Sequence, residues 1–144
     1  MEKNEAKQLV LDFIDCLKTF DYERLADLFH EDFEWVIPVR SPTLEALTAR
    51  RDKAYAVGRM KDNIDSMSNP LEFKPFGWTI GDNRAAVECE GTVVWNNGME
   101  YNNLYHLLFE FKDGQIVKMT EYCDFLYAWE TNPLLQNLTA KVRS

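Results

Sequence analysis

Residues 101–125 read YNNLYHLLFEFKDGQIVKMTEYCDF, and they put Tyr101, Asn103 and Tyr105 at two-residue spacing on one segment, with Glu121 on the next, among Leu107, Phe109 and Met119. A carboxyl group beside phenolic and amide donors can move a proton next to a carbonyl while the donors hold its oxygen. That chemistry needs Glu121 on an apolar face, where a carboxylate leaving water costs several kcal/mol unless it is hydrogen-bonded or protonated. Such burial raises the carboxyl pKa from about 4.3 toward neutrality. An ion-paired carboxylate at a pocket rim is the competing reading of the same residue.

The face depends on how KDGQ closes the hairpin. A two-residue Asp113-Gly114 turn pairs His106 with Glu121 and Phe109 with Lys118, mixing polar and apolar residues on both faces. A three-residue Lys112-Asp113-Gly114 loop with Gly114 left-handed pairs Phe109 with Val117, Leu107 with Met119 and Tyr105 with Glu121. This register separates the faces and is the expected one, with Glu121 beside Tyr101, Asn103, Tyr105, Leu107 and Phe109 inside. The preceding NNG turn leaves two arrangements open. A two-residue turn puts Glu90 beside Tyr105 on the pocket face, whereas a three-residue loop puts Cys89 there and turns Glu88 and Glu90 outward. The apolar side made by Ala85, Val87, Cys89, Val93 and Trp95 favours the latter.

Further candidates surround this core. Trp35, Tyr55 and Trp78 are positioned to line a pocket and stack on a planar ligand, although core packing accounts for them at least as well. Arg40, Arg50 and Arg51 fall near the expected pocket mouth, where they would attract an anion or act as solvated charge. Tyr101, Leu107, Met119, Glu90 and Arg40 complete the substrate-facing set. Tyr105 and Asn103 are the groups expected to orient a carbonyl or a water, with ordinary residues satisfying each other's hydrogen bonds as the equal alternative. His106 is sent outward by the preferred register, and His30 suits a helix C-terminal charge partner. No glycine-rich phosphate loop, metal-spaced ligand set or activated nucleophile is visible, so no cofactor and no metal is expected.

The chain that must position these groups has 144 residues, which fits one domain over 1–144. Its 46% hydrophobic content is ample for a core, and no apolar run reaches the length needed to span a bilayer. A net charge of −8 opposes binding to phosphate backbones. Cys16, Cys89 and Cys123 are too few and too far apart for a disulfide framework or a zinc site. The mixed-charge start MEKNEAKQLV lacks the layout of a secretory signal, and a cytoplasmic location is expected.

Leu9, Val10, Phe13, Ile14 and Leu17 recur at helical spacing, followed by a shorter stripe of Leu25, Leu28 and Phe29, with Asp21 as N-cap of the second helix. Phe33, Trp35 and Ile37 alternate as a strand that stops at Pro38. Residues 40–69 have a weak pattern, read as a loop with a helical turn and then a short helix over RMKDNIDSM. After Pro70, LEFKPFGWTI, RAAVECEGTVVW, MEYNNLYHLLFEF and QIVKMTEYCDFLY are divided by GDN, NNG and KDG, the signature of an antiparallel meander. AWETNPLLQNL forms a last amphipathic helix. Helices followed by strands make an α+β domain, with the helices on one face of a curved sheet and a cavity between.

The order of helices, DLFHEDFEW and above all GMEYNNLYHLLFEFKDGQIVKMTEYCDF resemble the nuclear transport factor 2-like superfamily, in its SnoaL-like and ketosteroid-isomerase-like branch. VECEG, NNLYHLLFEFKDGQI and the Glu-aromatic pair are also similar to the small phenazine-biosynthesis proteins. The resemblance implies a cone-shaped α+β barrel: N-terminal helices packed on a strongly bent, mainly antiparallel sheet enclosing a pocket, and a homodimer formed through the outer face of the sheet. It also implies what the chain is not. The three acid/base positions of ketosteroid isomerase fall near Phe13, Ile37 and Leu107, all apolar. At the place of Glu121, SnoaL-like cyclases and limonene-epoxide-hydrolase-like enzymes carry an aspartate and the phenazine proteins a glutamate. The epoxide hydrolases have a second acid near Glu90 and an intervening arginine with no clear counterpart here. The phenazine proteins use an upstream histidine, and this chain has only His30 and His106. The expectation is a cofactor-independent acid/base enzyme (isomerase, cyclase or hydratase/hydrolase) for a small hydrophobic, cyclic or polyketide-like carbonyl compound, with Glu121 as proton shuttle. The alternative is a non-catalytic, dimeric small-molecule-binding protein.

Overall fold

A computed structural model describes residues 1–47 and 51–143. Helix α1 (Lys3–Thr19) starts with a capping box between Glu2 and Glu5 and ends at a left-handed Phe20. Helix α2 (Tyr22–Leu28) begins where Asp21 accepts a hydrogen bond from the Arg24 amide at 3.1 Å, the cap expected from the sequence. Arg24 then reaches back to Asp12 and Asp15, each at 2.9 Å, tying α2 to α1.

Strand β1 (Phe29–Val36) follows without a break, and a short 3₁₀ segment (Pro42–Leu47) leads toward helix α3 (Lys53–Asp65). The helix is longer than the RMKDNIDSM piece expected. Asp52 caps it by accepting from the Tyr55 amide at 2.8 Å, which lets it start six residues before Arg59. Strands β2 (Glu72–Gly81), β3 (Arg84–Val94), β4 (Glu100–Lys112) and β5 (Gln115–Cys123) form the meander. The expected last strand segment ran to Tyr127, but Asp124 caps helix α4 (Phe125–Thr131) there, accepting from the Tyr127 amide at 3.0 Å. Pro133 then splits the expected single C-terminal helix and opens α5 (Pro133–Arg143), because proline suits a first helical turn but not an interior.

The five strands lie in the order β1-β5-β4-β3-β2, with β1 parallel to β5 and the rest antiparallel. The sheet is mixed and open, bounded by β1 and β2, so the α+β cone is closed by helices rather than by strand pairing. Phe13 of α1 packs edge-on to Phe109 of β4, with centroids 5.4 Å apart. Phe29 and Phe33 stack at 3.9 Å beneath the same helix layer, and all four rings are at most 2% exposed. No described helix is long and apolar enough to cross a membrane.

The β4–β5 hairpin corrects both registers considered from sequence. Asp113 and Gly114 both have positive φ, at 53° and 77°, and make a two-residue turn that pairs Lys112 with Gln115 and Phe111 with Ile116. A bulge at Val117 then moves the register by one, so that Glu110 faces Lys118, Phe109 faces Met119, Leu107 faces Glu121 and Tyr105 faces Cys123. The Asp-Gly pair therefore takes its favoured turn, and the extra residue restores the separation of faces. Ile116 and Met119 both become buried, which strict alternation forbids. Glu121 keeps its expected face, with Leu107 rather than Tyr105 opposite.

Candidate active site

The concave face of the sheet and helices α1, α3, α4 and α5 enclose a cavity of about 100 Å³. Phe13, Leu17, Trp35, Ile37, Met60, Leu107 and Met119 supply much of an apolar wall, and Glu121, Arg59, Tyr101 and Tyr105 bring polar atoms to it. Phe13, Ile37 and Leu107, the places where the ketosteroid-isomerase pattern needs acid/base groups, are thus apolar and inside the cavity.

Glu121 is half-buried, and it lines this cavity from the middle of the last strand. Burial pushes its carboxyl up from 4.5 to about 7, and the positive charge of Arg59 pulls the other way. Among the described residues no hydrogen bond or ion pair closes on the Glu121 carboxylate. A carboxyl in that range is present in both protonation states near neutral pH.

Tyr105 stands diagonally across the sheet from Glu121. Its hydroxyl pKa is driven well above the ordinary value by burial and then by Tyr101 and Glu121 nearby, so it remains a protonated donor. The Tyr105 and Tyr101 hydroxyls are hydrogen-bonded to each other. Asn103, 4% exposed, does not line the cavity as expected but lies behind it. Its amide nitrogen donates to the Tyr101 hydroxyl at 2.9 Å and to the Asp124 carbonyl at 3.0 Å, and its side-chain oxygen accepts from the Leu104 amide at 2.9 Å. Asn103 thus supports Tyr101 from behind the cavity wall. Gly91 sets the place of the Tyr105 ring: a Cβ there would come within 2.9 Å of Tyr105 Cε2 and 3.0 Å of Phe73 Cε1. The absence of a side chain lets the two rings meet edge to face, with centroids 5.0 Å apart.

The structure brings together Glu121, Tyr105, Tyr101, Trp35, Leu107 and Met119 of the residues singled out in the sequence. It moves four others away. Glu90 pairs with Leu104, because the NNG turn closes as a three-residue loop that opposes Cys89 to Tyr105 and turns Glu90 to the outer face. Tyr55 is 40% exposed off the buried stripe of α3, under the Arg51 guanidinium at 4.7 Å. Trp78 pairs with Val87, away from the cavity wall, and Lys7 of α1 lies 5.1 Å over its ring. Arg40 is exposed beyond β1, and Arg50 lies outside the described residues.

His106 points outward, as expected, 6.2 Å from the Tyr122 ring. His30 is not a helix-end partner. It is the second residue of β1, where Nδ1 accepts from the Asp32 amide at 3.0 Å and Nε2 faces Asp113 at 3.4 Å. With Glu31 and Asp32 it forms a cluster with ligand atoms within 4.8 Å. Both histidine nitrogens are already engaged there, which leaves no free lone pair for a metal.

Sequence reasoning missed Arg59. It is 8% exposed, lines the cavity from α3, and shares the buried stripe of that helix with Ala56, Met60 and Ile64. The helical spacing of those residues was the available signal. An arginine does reach the site, although the strand pattern offered none. Burial lowers its pKa, and nearby Tyr55 and Glu121 oppose that shift.

The sequence matches the family model described as SnoaL-like domain over residues 10–119. The chain belongs to the SnoaL-like domain family. Structural neighbours share the fold of this SnoaL-like domain at low identity. They include an epoxide hydrolase of Mycobacterium tuberculosis described as LEH-like, at 16% identity and TM-score 0.73 with both chains covered in full (100%). A polyketide-cyclase candidate of Xanthomonas campestris pv. campestris shows 18% identity and TM-score 0.74, covering 90% of this chain and 97% of its own. TerC, co-crystallised with polyporic acid, shows 16% identity and TM-score 0.74, with 88% and 97% covered. No curated protein matches the sequence.

Proposed function

We propose that this SnoaL-like domain is a cofactor-independent acid/base enzyme for a small, cyclic, hydrophobic carbonyl compound, with Glu121 as the proton shuttle. The observation that carries the reading is a carboxyl held at about 7 in a largely apolar cavity. The neighbours described as an epoxide hydrolase and a polyketide-cyclase candidate support acid/base chemistry of this class on the same fold.

The ionised Glu121 removes a proton from the carbon next to the carbonyl, and the electron pair moves onto the carbonyl oxygen as an enolate. Tyr105 donates a hydrogen bond to that oxygen. Tyr101 accepts from Asn103, and in the arrangement where it donates onward to Tyr105 the Tyr105 proton is left for the cavity. In an unsaturated substrate the enolate is conjugated, and the protonated Glu121 delivers its proton to the γ-carbon, which shifts the double bond and completes an isomerisation without any cofactor; return to the original carbon gives exchange alone. The apolar wall keeps bulk water from competing. A cavity of about 100 Å³ is on the scale of the ~150 Å³ void that takes up benzene. A single ring fits this conformation, whereas a multi-ring polyketide requires the helices to part.

Exchange of the α-protons of 2-cyclohexenone into D₂O, followed by proton NMR, tests the assignment. The rate is expected to rise with pH and level off above about 7 as the base ionises, and to collapse in Glu121→Gln. Unchanged exchange in that variant removes the role. A second reading, a cavity that only holds its ligand, draws on the lack of any described hydrogen bond orienting Glu121. It predicts ligand-induced stabilisation without exchange or product.

The dimer proposed with this function uses the outer face of the sheet, where Leu104 is 62% and Tyr122 46% exposed on adjacent strands. Exposed apolar side chains side by side on a sheet mark a surface suited to a partner.

A further inference from the structure

Among the described residues, three buried nitrogen donors find no acceptor: Trp35 Nε1, Arg59 Nη1 and Trp95 Nε1. All three residues line the same cavity. Buried donors are nearly always paired, so three unpaired ones on residues that share one cavity wall mark a place where an acceptor would be taken up. Glu121, the carboxylate that lines the cavity among the described residues, makes no ion pair with Arg59 there, although each feels the other's charge. Arg59 remains protonated in ordinary surroundings, and a guanidinium away from water needs an anionic partner.

We propose that the cavity selects a ring compound carrying a carboxylate or an equally acidic enol, whose anionic oxygen is held by Arg59. The guanidinium fork suits two oxygens at once, which matches a carboxylate better than a lone carbonyl. The indole donors of Trp35 and Trp95 add neutral hydrogen-bonding capacity without further charge. The inference deepens the acid/base reading, since it names the substrate class of the same site.

It also couples ligand binding to a proton. The charged or titratable groups around Glu121 are Arg59 of α3, Tyr101 and Tyr105 of β4, Cys89 of β3 and Cys123 of β5. Arg59 in turn faces Tyr55, Arg51 and Asp62. The phenols and thiols near Glu121 are all shifted upward by burial and stay neutral near pH 7. An entering anion therefore meets one group able to take up a proton in response, Glu121.

The test uses benzoate and its neutral isostere benzamide, measured by isothermal titration calorimetry on the whole chain. Benzoate has no α-proton, so the result is independent of turnover, and the α-proton exchange experiment judges the acid/base reading separately. Benzoate is expected to bind at least about tenfold more tightly than benzamide at pH 6. Its affinity is expected to fall about tenfold by pH 8 with net proton uptake, while that of benzamide stays flat. Arg59→Gln is expected to erase the preference, and Arg59→Lys to keep part of it. Equal binding of the two probes to the unmodified chain, failure of benzoate to bind, or an undiminished preference in Arg59→Gln overturns the proposal. The comparison on the unmodified chain decides the matter even where a variant fails to fold.

Discussion

Glu121→Gln keeps the shape of the side chain and removes its proton equilibrium, so pH dependence that separates the variant from the parent belongs to this group. Burial holds the carboxyl at about 7 in the folded chain, against 4.5 for the ordinary group. At ~1.36 kcal/mol for each factor of ten, that difference is worth about 3 kcal/mol. Below 4.5 the group is protonated whether the chain is folded or not, and it contributes no difference. Between 4.5 and about 7 the unfolded chain has released the proton that the folded chain still holds. The folded state then binds more protons, and its stability falls as pH rises, with the full loss reached above about 7. Urea unfolding of both proteins from pH 4.5 to 8 should show the parent losing about 3 kcal/mol relative to the variant, nearly all of it below pH 7.5. Parallel stability curves across that window would refute the reasoning, because they would mean that the carboxyl is hydrated in the folded state.

Other substitutions probe the parts that place the site. Gly91→Ala drives a methyl group against the Tyr105 and Phe73 rings and is expected to cost about 1–3 kcal/mol. It should also slow α-proton exchange by moving the Tyr105 hydroxyl, and a variant with unfolding and exchange like the parent would show that Tyr105 is not fixed by this contact. Deletion of Val117 removes the bulge and forces a choice between the Asp113-Gly114 turn and the inward face of Met119 and Glu121. It should remove the pH-dependent stability difference described above, and retention of that difference would separate the bulge from the placement of Glu121. Leu104→Glu puts a charge in the middle of the proposed dimer face, so sedimentation velocity should show a shift to monomer while exchange activity per chain persists. An unchanged sedimentation coefficient would place any dimer elsewhere.

The inward face of Glu121 was legible because face parity is a property of the whole β4–β5 pair. Burying Leu107, Phe109 and Met119 together leaves Glu121 no other side. Its partner was not legible. The Asp-Gly pair argues for a two-residue turn and the apolar pattern for an odd loop, and the bulge at Val117 satisfies both in a way neither signal states alone. For the NNG turn, the apolar side of β3 was the better guide than the local Asn-Gly signal, and it is what turns Glu90 out.

Arg59 was hidden for a different reason. A charged residue on a buried stripe looks like a break in the helical pattern unless the helix is already known, and the Asp52 cap that starts α3 is a single short side chain. Tyr55 and Trp78 show the converse. An aromatic residue near a pocket in sequence terms gives no direction, and here one stacks with Arg51 outside while the other packs under α1.

The proposed role of Glu121 requires a carboxyl that titrates near neutrality because it faces the cavity more than bulk water. Carbon-13 NMR titration of the Glu121 side-chain carboxyl in the folded chain measures this without any substrate. The predicted midpoint is about 7, rising further in Arg59→Gln as the opposing positive charge is removed. A midpoint near the ordinary 4.5, unmoved by the loss of Arg59, would contradict it.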